Sequence, residues 1–382
     1  MLNAERLLLE FKALLSIESP STKEAKLAYY LADLFEALGY KVFFDKSGEA
    51  TGSNVGNLIL KIPGTVQAPP LLLCAHLDTV GPCEGVEVIE ENGIIRSNGK
   101  TILGADDKAG IAILVELLRV LKEDPFPHPP LEIVFTTTEE IGLLGAKNLD
   151  YRHIESRYGL VLDSENPEEI IHAAPSSYHF NLKVYGKSAH AGLEPEKGIN
   201  AIKLLAQIVA GLPSGRIDHE TTMNIGKING GEYVNVVPPL AFVEGEMRSH
   251  REEKIEALMQ ELRKVVEEVI TSHPHRIDNL PSFKLDFNRV FKAFYIPEDE
   301  PFIKLIKKAG EKVGFNIRLK KKEGGSDANV FNERGIQTLI LGTGMQKVHT
   351  TEEFIRISDL IRSAKLVFEV IKLAGENPLP GA

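Results

Sequence analysis

Short apolar runs that stop at a histidine or a carboxylate recur along this chain, and they restrict its fold more than any other feature. LLLCAHLDTV ends in His76 and Asp78. TILGADDKAG carries Asp106 and Asp107. LEIVFTTTEE ends in Glu139 and Glu140, YGLVLDSE ends in Asp163, and TLILGTG is followed by a loop with His349. In open α/β sheets, ligands bind outside the carboxyl ends of the strands. Side chains far apart in sequence can therefore meet along one edge. Histidine and carboxylate without thiolate suit zinc, manganese or cobalt used in catalysis.

The organisation agrees with such a sheet. Leu2 to Leu15 and Lys23 to Leu38 have helical periodicity, Gly39 follows as a C-cap, and KVFF reads as a strand. Asn57 to Ile62, Leu71 to Ala75, Leu131 to Thr136 and Leu160 to Leu162 are apolar strand-type runs, with a long helix over Lys108 to Lys122. Alternating helix and strand imply a mainly parallel sheet with covering helices. Near Ala174 the pattern changes. Tyr178 to Val184 alternates, Ile199 to Leu212 is helical, and Thr222 to Ile228, Val234 to Val237 and Ala241 to Met247 read as strands. Gly230 and Gly231 read as a hairpin turn. A helix over Glu252 to Ser272 and a strand over Phe283 to Phe291 complete a ferredoxin-like order. From Pro297 the first pattern resumes, with helices over Pro301 to Val313 and Ser358 to Leu373 and strands over Asn316 to Leu319 and Gln337 to Leu341. The expected fold is α/β: a discontinuous metal-binding domain, 1–174 and 296–382, with an inserted α+β lid or dimerisation domain, 175–295.

Bulk properties narrow the partners. A length of 382 residues, 43% of them hydrophobic, supplies cores for about two domains. Net charge is −10 and no basic stripe is present, so nucleic acid is not an expected partner. The cluster Arg318 to Lys322 reads as a solvated strand end. Two cysteines, Cys74 and Cys83, make no disulfide framework. The first twenty residues read as a charged amphipathic helix rather than a signal peptide, and no run is apolar enough to span a membrane. A reduced, cytoplasmic protein is expected.

Each motif has a chemical reading beside a plain one. His76 and Asp78 are two apart, so on a strand both face one side. One can ligate while the other accepts the second ring N–H and fixes the tautomer. Asp106, after Gly104 and before a helix, can bridge two cations, although Asp at a helix start is also an ordinary N-cap, the plain role for Asp107. Of Glu139 and Glu140, one can bind metal while its neighbour accepts a proton from water, which a bound cation acidifies to near neutral pH. A solvated Glu pair is the plain alternative. Asp163, Glu165 and His349 gain weight only from the joint occurrence of all the motifs.

HLDTV, GADDKAG, TTEEIGLLGA, LDSE, SAHAG, GGSDAN and the late His-Thr resemble the dinuclear metallopeptidases that include peptidase T, carboxypeptidase G and aminoacylase. GADDKAG with TTTEEIG is most similar to the peptidase T branch, and the resemblance spans essentially the whole chain. It implies two divalent ions, zinc before manganese or cobalt: His76 and Asp163 on the first, Glu140 and His349 on the second, Asp106 bridging. Glu139 is implied as general base and Asp78 as the residue that orients His76. From the inserted domain, His190 in SAHAG would donate to the oxyanion, within one chain or across a homodimer. Arg248 in GEMRS, with Asn235 in VNVVP, would bind the substrate carboxylate. The implied activity is tripeptide aminopeptidase. The rivals are an N-acyl amino acid amidohydrolase or carboxypeptidase of the same fold, and a non-catalytic metal-binding protein.

Overall fold

Leu71–His76 and Leu131–Thr136 are buried at every position. That burial follows from their place in the sheet of this computed structural model, which describes residues 1–380. The two strands pair in parallel with His76 opposite Thr136. Leu71–His76 also runs parallel to Tyr158–Ser164, which runs parallel to Gln337–Gly342. Leu58–Ile62 and Glu169–Ala174 flank this parallel centre in antiparallel sense. The strands that carry His76, Glu139 with Glu140, Asp163 and His349 therefore finish at one edge. A strand with a neighbour on each side and helices packed over it has no solvated face, which is why these runs are apolar without alternation. Helix Ala105–Glu123 packs on Leu71–His76, and Asp106 sits in its first turn, where the backbone departs from helical φ/ψ.

The chain divides into two compact units: Met1–Ala173 with Tyr295–Lys322 and Ser326–Ala382, and Ala174–Phe294 with Glu323–Gly325. The first unit also holds a small antiparallel sheet in the order Met345–Gln346, Phe354–Arg356, Ile94–Ser97, Val88–Glu91. Its strands are too short for a periodic signal, and none is expected from the sequence. The sheet matters because it brackets the loop that carries His349 and ties it beside the segment leading into Asp106.

In the second unit the strand order is Gly215–Asp218, Thr221–Gly230, Leu240–Ser249, Ser176–Tyr185, Ser282–Phe291, each antiparallel to its neighbours. Without the short edge strand this is the ferredoxin-like arrangement. Alternation in YHFNLKV sends Phe180, Leu182 and Val184 into a core with Leu204 and Ile208 of helix Ala201–Gly211 and Leu262 and Val266 of helix Glu252–Thr271. Two local expectations fail here. Gly230 ends a strand and the chain travels through 231–239 before Leu240, so the glycine pair is not a tight hairpin. Val234 to Val237 forms no strand beyond an isolated bridge of Val236 to His190. Pro238 and Pro239 follow directly, and proline has no N–H to extend a ladder.

The basic cluster is also only partly a solvated strand end. Arg318 and Lys320 pair with Glu169, whereas Lys322, just past strand Arg318–Lys321, turns inward onto Asp163. Among the described residues, no helix is long and apolar enough to cross a membrane.

Candidate metal centre

The loop that carries Glu139 is fixed by side chains from distant parts of the chain. Thr137 N–H donates to Asn57 Oδ1 (3.0 Å), and Thr138 N–H to Glu24 Oε1 (2.9 Å). Glu139 N–H and Glu140 N–H donate to the two oxygens of Asp78 (2.9 and 3.1 Å). The carbonyls are taken by the glycine-rich turn that follows: Gly142 and Leu143 donate to Glu139, Leu144 to Thr138 and Gly145 to Thr137. Gly145 is required here, since a Cβ would lie 2.2 Å from the Thr137 carbonyl oxygen. One buried donor left unpaired costs about 1–3 kcal/mol, so this set of acceptors determines where Glu139 and Glu140 point. Asp327, the first residue of helix Asp327–Glu333, accepts from Thr136 Oγ1 at 2.5 Å beneath the same loop.

Asp106 lies between two histidines. Its Oδ1 is 3.0 Å from His76 Nε2, and its Oδ2 is 3.2 Å from His349 Nε2. His349 Nε2 is also 3.1 Å from Glu140 Oε1, a buried oxygen that accepts no well-directed hydrogen bond among the described residues. His76 Nδ1 donates to the Asp78 carbonyl oxygen at 2.9 Å, while the Asp78 carboxylate is 3.6 Å away. With Nδ1 committed to a carbonyl, Nε2 is the ring nitrogen left to face Asp106. Asp107 is an N-cap: Oδ1 accepts from Gly110 N–H, and Oδ2 ties the His76 N–H to the helix start.

Charge crowding is severe. Burial pushes Glu139 well above the usual carboxylate range, and the charges of Asp163, Asp327 and Glu140 reinforce it. Burial likewise raises Glu140 and Asp163, the latter opposed by Lys322, whose Nζ is 3.3 Å from its Oδ2. Burial would also raise Asp106, but hydrogen bonds from His349 and His76 outweigh it and hold the group low. The same carboxylates, Asp106 and Glu140, push His349 up to about 10. Lys322 and the two histidines are outnumbered by the carboxylates gathered here. Donor atoms of His76, Asp106 and Glu140 lie within 4.8 Å of one another. That convergence, the undonated Glu140 oxygen and an oxygen and nitrogen donor set fit divalent cations.

The sequence-derived residues of the second unit form a separate group. Ala191 N–H donates to the Asn235 carbonyl (2.9 Å), Val237 N–H donates to the Ala189 carbonyl (2.9 Å), and His190 bridges Val236. SAHAG and VNVVP, far apart in sequence, are thus adjacent. His190 and Asn235 are exposed. The His190 Nδ1 accepts from Gly192 and Leu193 N–H, so the neutral ring carries its hydrogen on Nε2. Arg248 sits on strand Leu240–Ser249 and pairs with Glu246 at 3.1 Å, while its Nε has no hydrogen-bond partner.

Several supporting residues carry no local signal. Glu24, Asn57 and Lys322 act through tertiary contacts alone. Glu353 lies in the run VHTTEE that carries His349, yet nothing in that run separates its role from that of exposed Glu352. Glu165 is exposed.

Residues 173–273 match the family model described as Peptidase dimerisation domain, and residues 57–191 match Peptidase family M28. The chain is 38% identical to YqjE, an uncharacterised protein of Bacillus subtilis, over 98% of this chain and 100% of the relative. The solved aminopeptidase PepT from Bacillus cereus is 38% identical, with TM-score 0.87, covering 97% of this chain and 99% of that chain. A solved tripeptidase from Staphylococcus aureus is 34% identical, with TM-score 0.91, covering 99% and 100%. Likeness at this level covers nearly the whole chain. The chain belongs to the peptidase T-like branch of the M20 metallopeptidases.

Proposed function

We propose that this chain removes the amino-terminal residue of short peptides, tripeptides foremost, using two divalent cations, with zinc ahead of manganese and cobalt. The observation that carries this reading is Asp106, which faces His76 with one oxygen and His349 with the other. His76 and Asp163 would hold one cation, Glu140 and His349 the other, and Asp106 both. When bound, the cations would polarise the scissile carbonyl and make a water acidic enough to react near neutral pH. Glu139 would take a proton from the attacking water and pass it to the leaving amine. Its buried, acidic surroundings strengthen its hold on a proton, which suits a group that must take one and give it back. Asp78 would serve twice: its carboxylate fixes the Glu139 and Glu140 N–H groups, and its backbone carbonyl receives the His76 ring.

From the second unit, His190 is assigned to the developing oxyanion, to which Nε2–H can donate. Arg248 is assigned to the substrate carboxylate, where a guanidinium fork makes a paired, charge-assisted contact, with Asn235 in the same role. The match of residues 173–273 to a peptidase dimerisation domain supports a homodimer formed through this unit. Two buried free cysteines suit a reducing, cytoplasmic setting.

A peptide-library screen with zinc, manganese and cobalt, reading which bond is cut, tests the proposal. Release of the first residue from Ala-Ala-Ala is expected, with N-acetyl amino acids left intact. Preferred hydrolysis of the N-acetyl compounds, or release of the carboxyl-terminal residue, would replace it with the amidohydrolase or carboxypeptidase reading.

A further inference from the structure

We propose that Glu353 is a positioning residue for the dinuclear centre: its carboxylate sets the backbone that presents Asp106. This rests on Asp106 being a metal ligand. Glu353 is 1% exposed. Its Oε2 accepts the N–H groups of Leu103 (2.8 Å) and Gly104 (2.7 Å), and its Oε1 accepts that of Asp106 (3.1 Å). Leu103 and Gly104 precede helix Ala105–Glu123, and the start of that helix departs from helical φ/ψ at Asp106. Gly104 has φ +80, and Asp106 has φ −82 and ψ 102. No regular partner is available to them, so one side chain supplies all the acceptors.

Two features separate this arrangement from an ordinary loop staple. Among the described residues, the Glu353 carboxylate forms no ion pair, and its hydrogen bonds come from the backbone N–H groups of the Asp106 loop. A buried carboxylate is an expensive choice where a neutral acceptor could close a turn. In addition, Glu353 is on the segment that carries His349, and the next residues pair as Phe354 with Arg96 and Ile355 with Ile95. One short segment thus offers a histidine to one oxygen of Asp106 and fixes the backbone of Asp106 from behind. The distance between the two faces of the bridge depends on this clamp.

The test is zinc titration of metal-free protein against a chromophoric chelator, for wild type, Glu353→Gln and Glu353→Asp. The glutamine keeps the size, but its NH2 must face one of the N–H donors. Wild type should take two ions per chain. Glu353→Gln should bind them about 10–100-fold more weakly, the scale for groups that orient metal ligands. At saturating zinc its kcat should fall with KM unchanged. Glu353→Asp should recover part of the affinity, and each metal-free variant should still unfold cooperatively, with its melting temperature lowered by a few degrees for the donor left unpaired. If Glu353→Gln does not fold, Glu353→Asp carries the test, with weaker binding expected for its shorter reach. Two ions bound at wild-type affinity by whichever variants fold would overturn the role of Glu353 alone. Fewer than two ions on wild type would overturn it together with the dinuclear reading on which it rests.

Discussion

The loop that ends in Glu139 and Glu140 and the loops around His190 and Asn235 are held in opposite ways. In the first, each N–H from Thr137 to Glu140 is received by a buried side chain from another part of the chain. In the second, His190 and Asn235 are exposed, and the hydrogen bonds they make are to backbone of the same two loops. Groups that must hold mutually repelling charges at fixed spacing need the first kind of support. Groups that meet a variable substrate do not, and they can change partner at small cost. The Arg248–Glu246 pair illustrates the point. Both side chains are about one-third exposed, and such a pair is worth about 0–1 kcal/mol, less than a desolvated contact to a substrate carboxylate at about 1.5–3 kcal/mol.

If the comparison is sound, substitutions in the first region change chemistry or metal content, and those in the second change substrate handling with metal untouched. The largest effect is expected from Glu139→Gln, which keeps shape and removes the base. Its kcat should fall about 10²-fold or more, the usual scale for lost acid–base catalysis, with full metal content by elemental analysis. Glu140→Gln should instead lose metal. Near-normal turnover of fully loaded Glu139→Gln would remove it from the reaction.

His190→Ala should lower kcat by about 10²–10³-fold, as for loss of one oxyanion donor, with two metals still bound. Lost metal would place His190 with the first region and collapse the comparison. Mixing His190→Ala with Glu139→Gln sharpens it further. Recovered activity in exchanging dimers means that His190 serves the partner's centre, and no recovery means that it acts within its own chain.

The smallest effect is expected at Arg248. Arg248→Lys keeps the charge but loses the fork and should cost about 10–100-fold in kcat/KM. Amidating the peptide's carboxyl terminus removes the same contact from the other side, so the two losses should be strongly non-additive. Full additivity would leave Arg248 as a partner of Glu246 only.

The same contrast explains what could be read in the sequence. Leu71–His76 and Leu131–Thr136 are apolar throughout because both are buried, and a polar residue at the end of such a run stands out. Alternation in Ser176–Tyr185 marked the second unit equally well. The support was not legible. Glu24, Asn57 and Glu353 reach their partners across long sequence separations, and an acceptor for a backbone N–H leaves no spacing pattern. Strands Met345–Gln346 and Phe354–Arg356 are two and three residues long, too short for a period, yet they position His349. Lys322 continued a basic run by composition but turns onto Asp163 because that carboxylate is buried and needs a cation. The segment 231–239 looked like turn and strand because its valines fit a strand, while Pro238 and Pro239 forbid the ladder.

The central claim is that Asp106 joins two cations at the strand ends, and calorimetric titration of metal-free wild type and Asp106→Asn with zinc tests it most directly. The account predicts two ions per wild-type chain and weakened binding of both in the variant, because one carboxylate serves both positions. A single ion per wild-type chain, or two ions at unchanged affinity in Asp106→Asn, would contradict it.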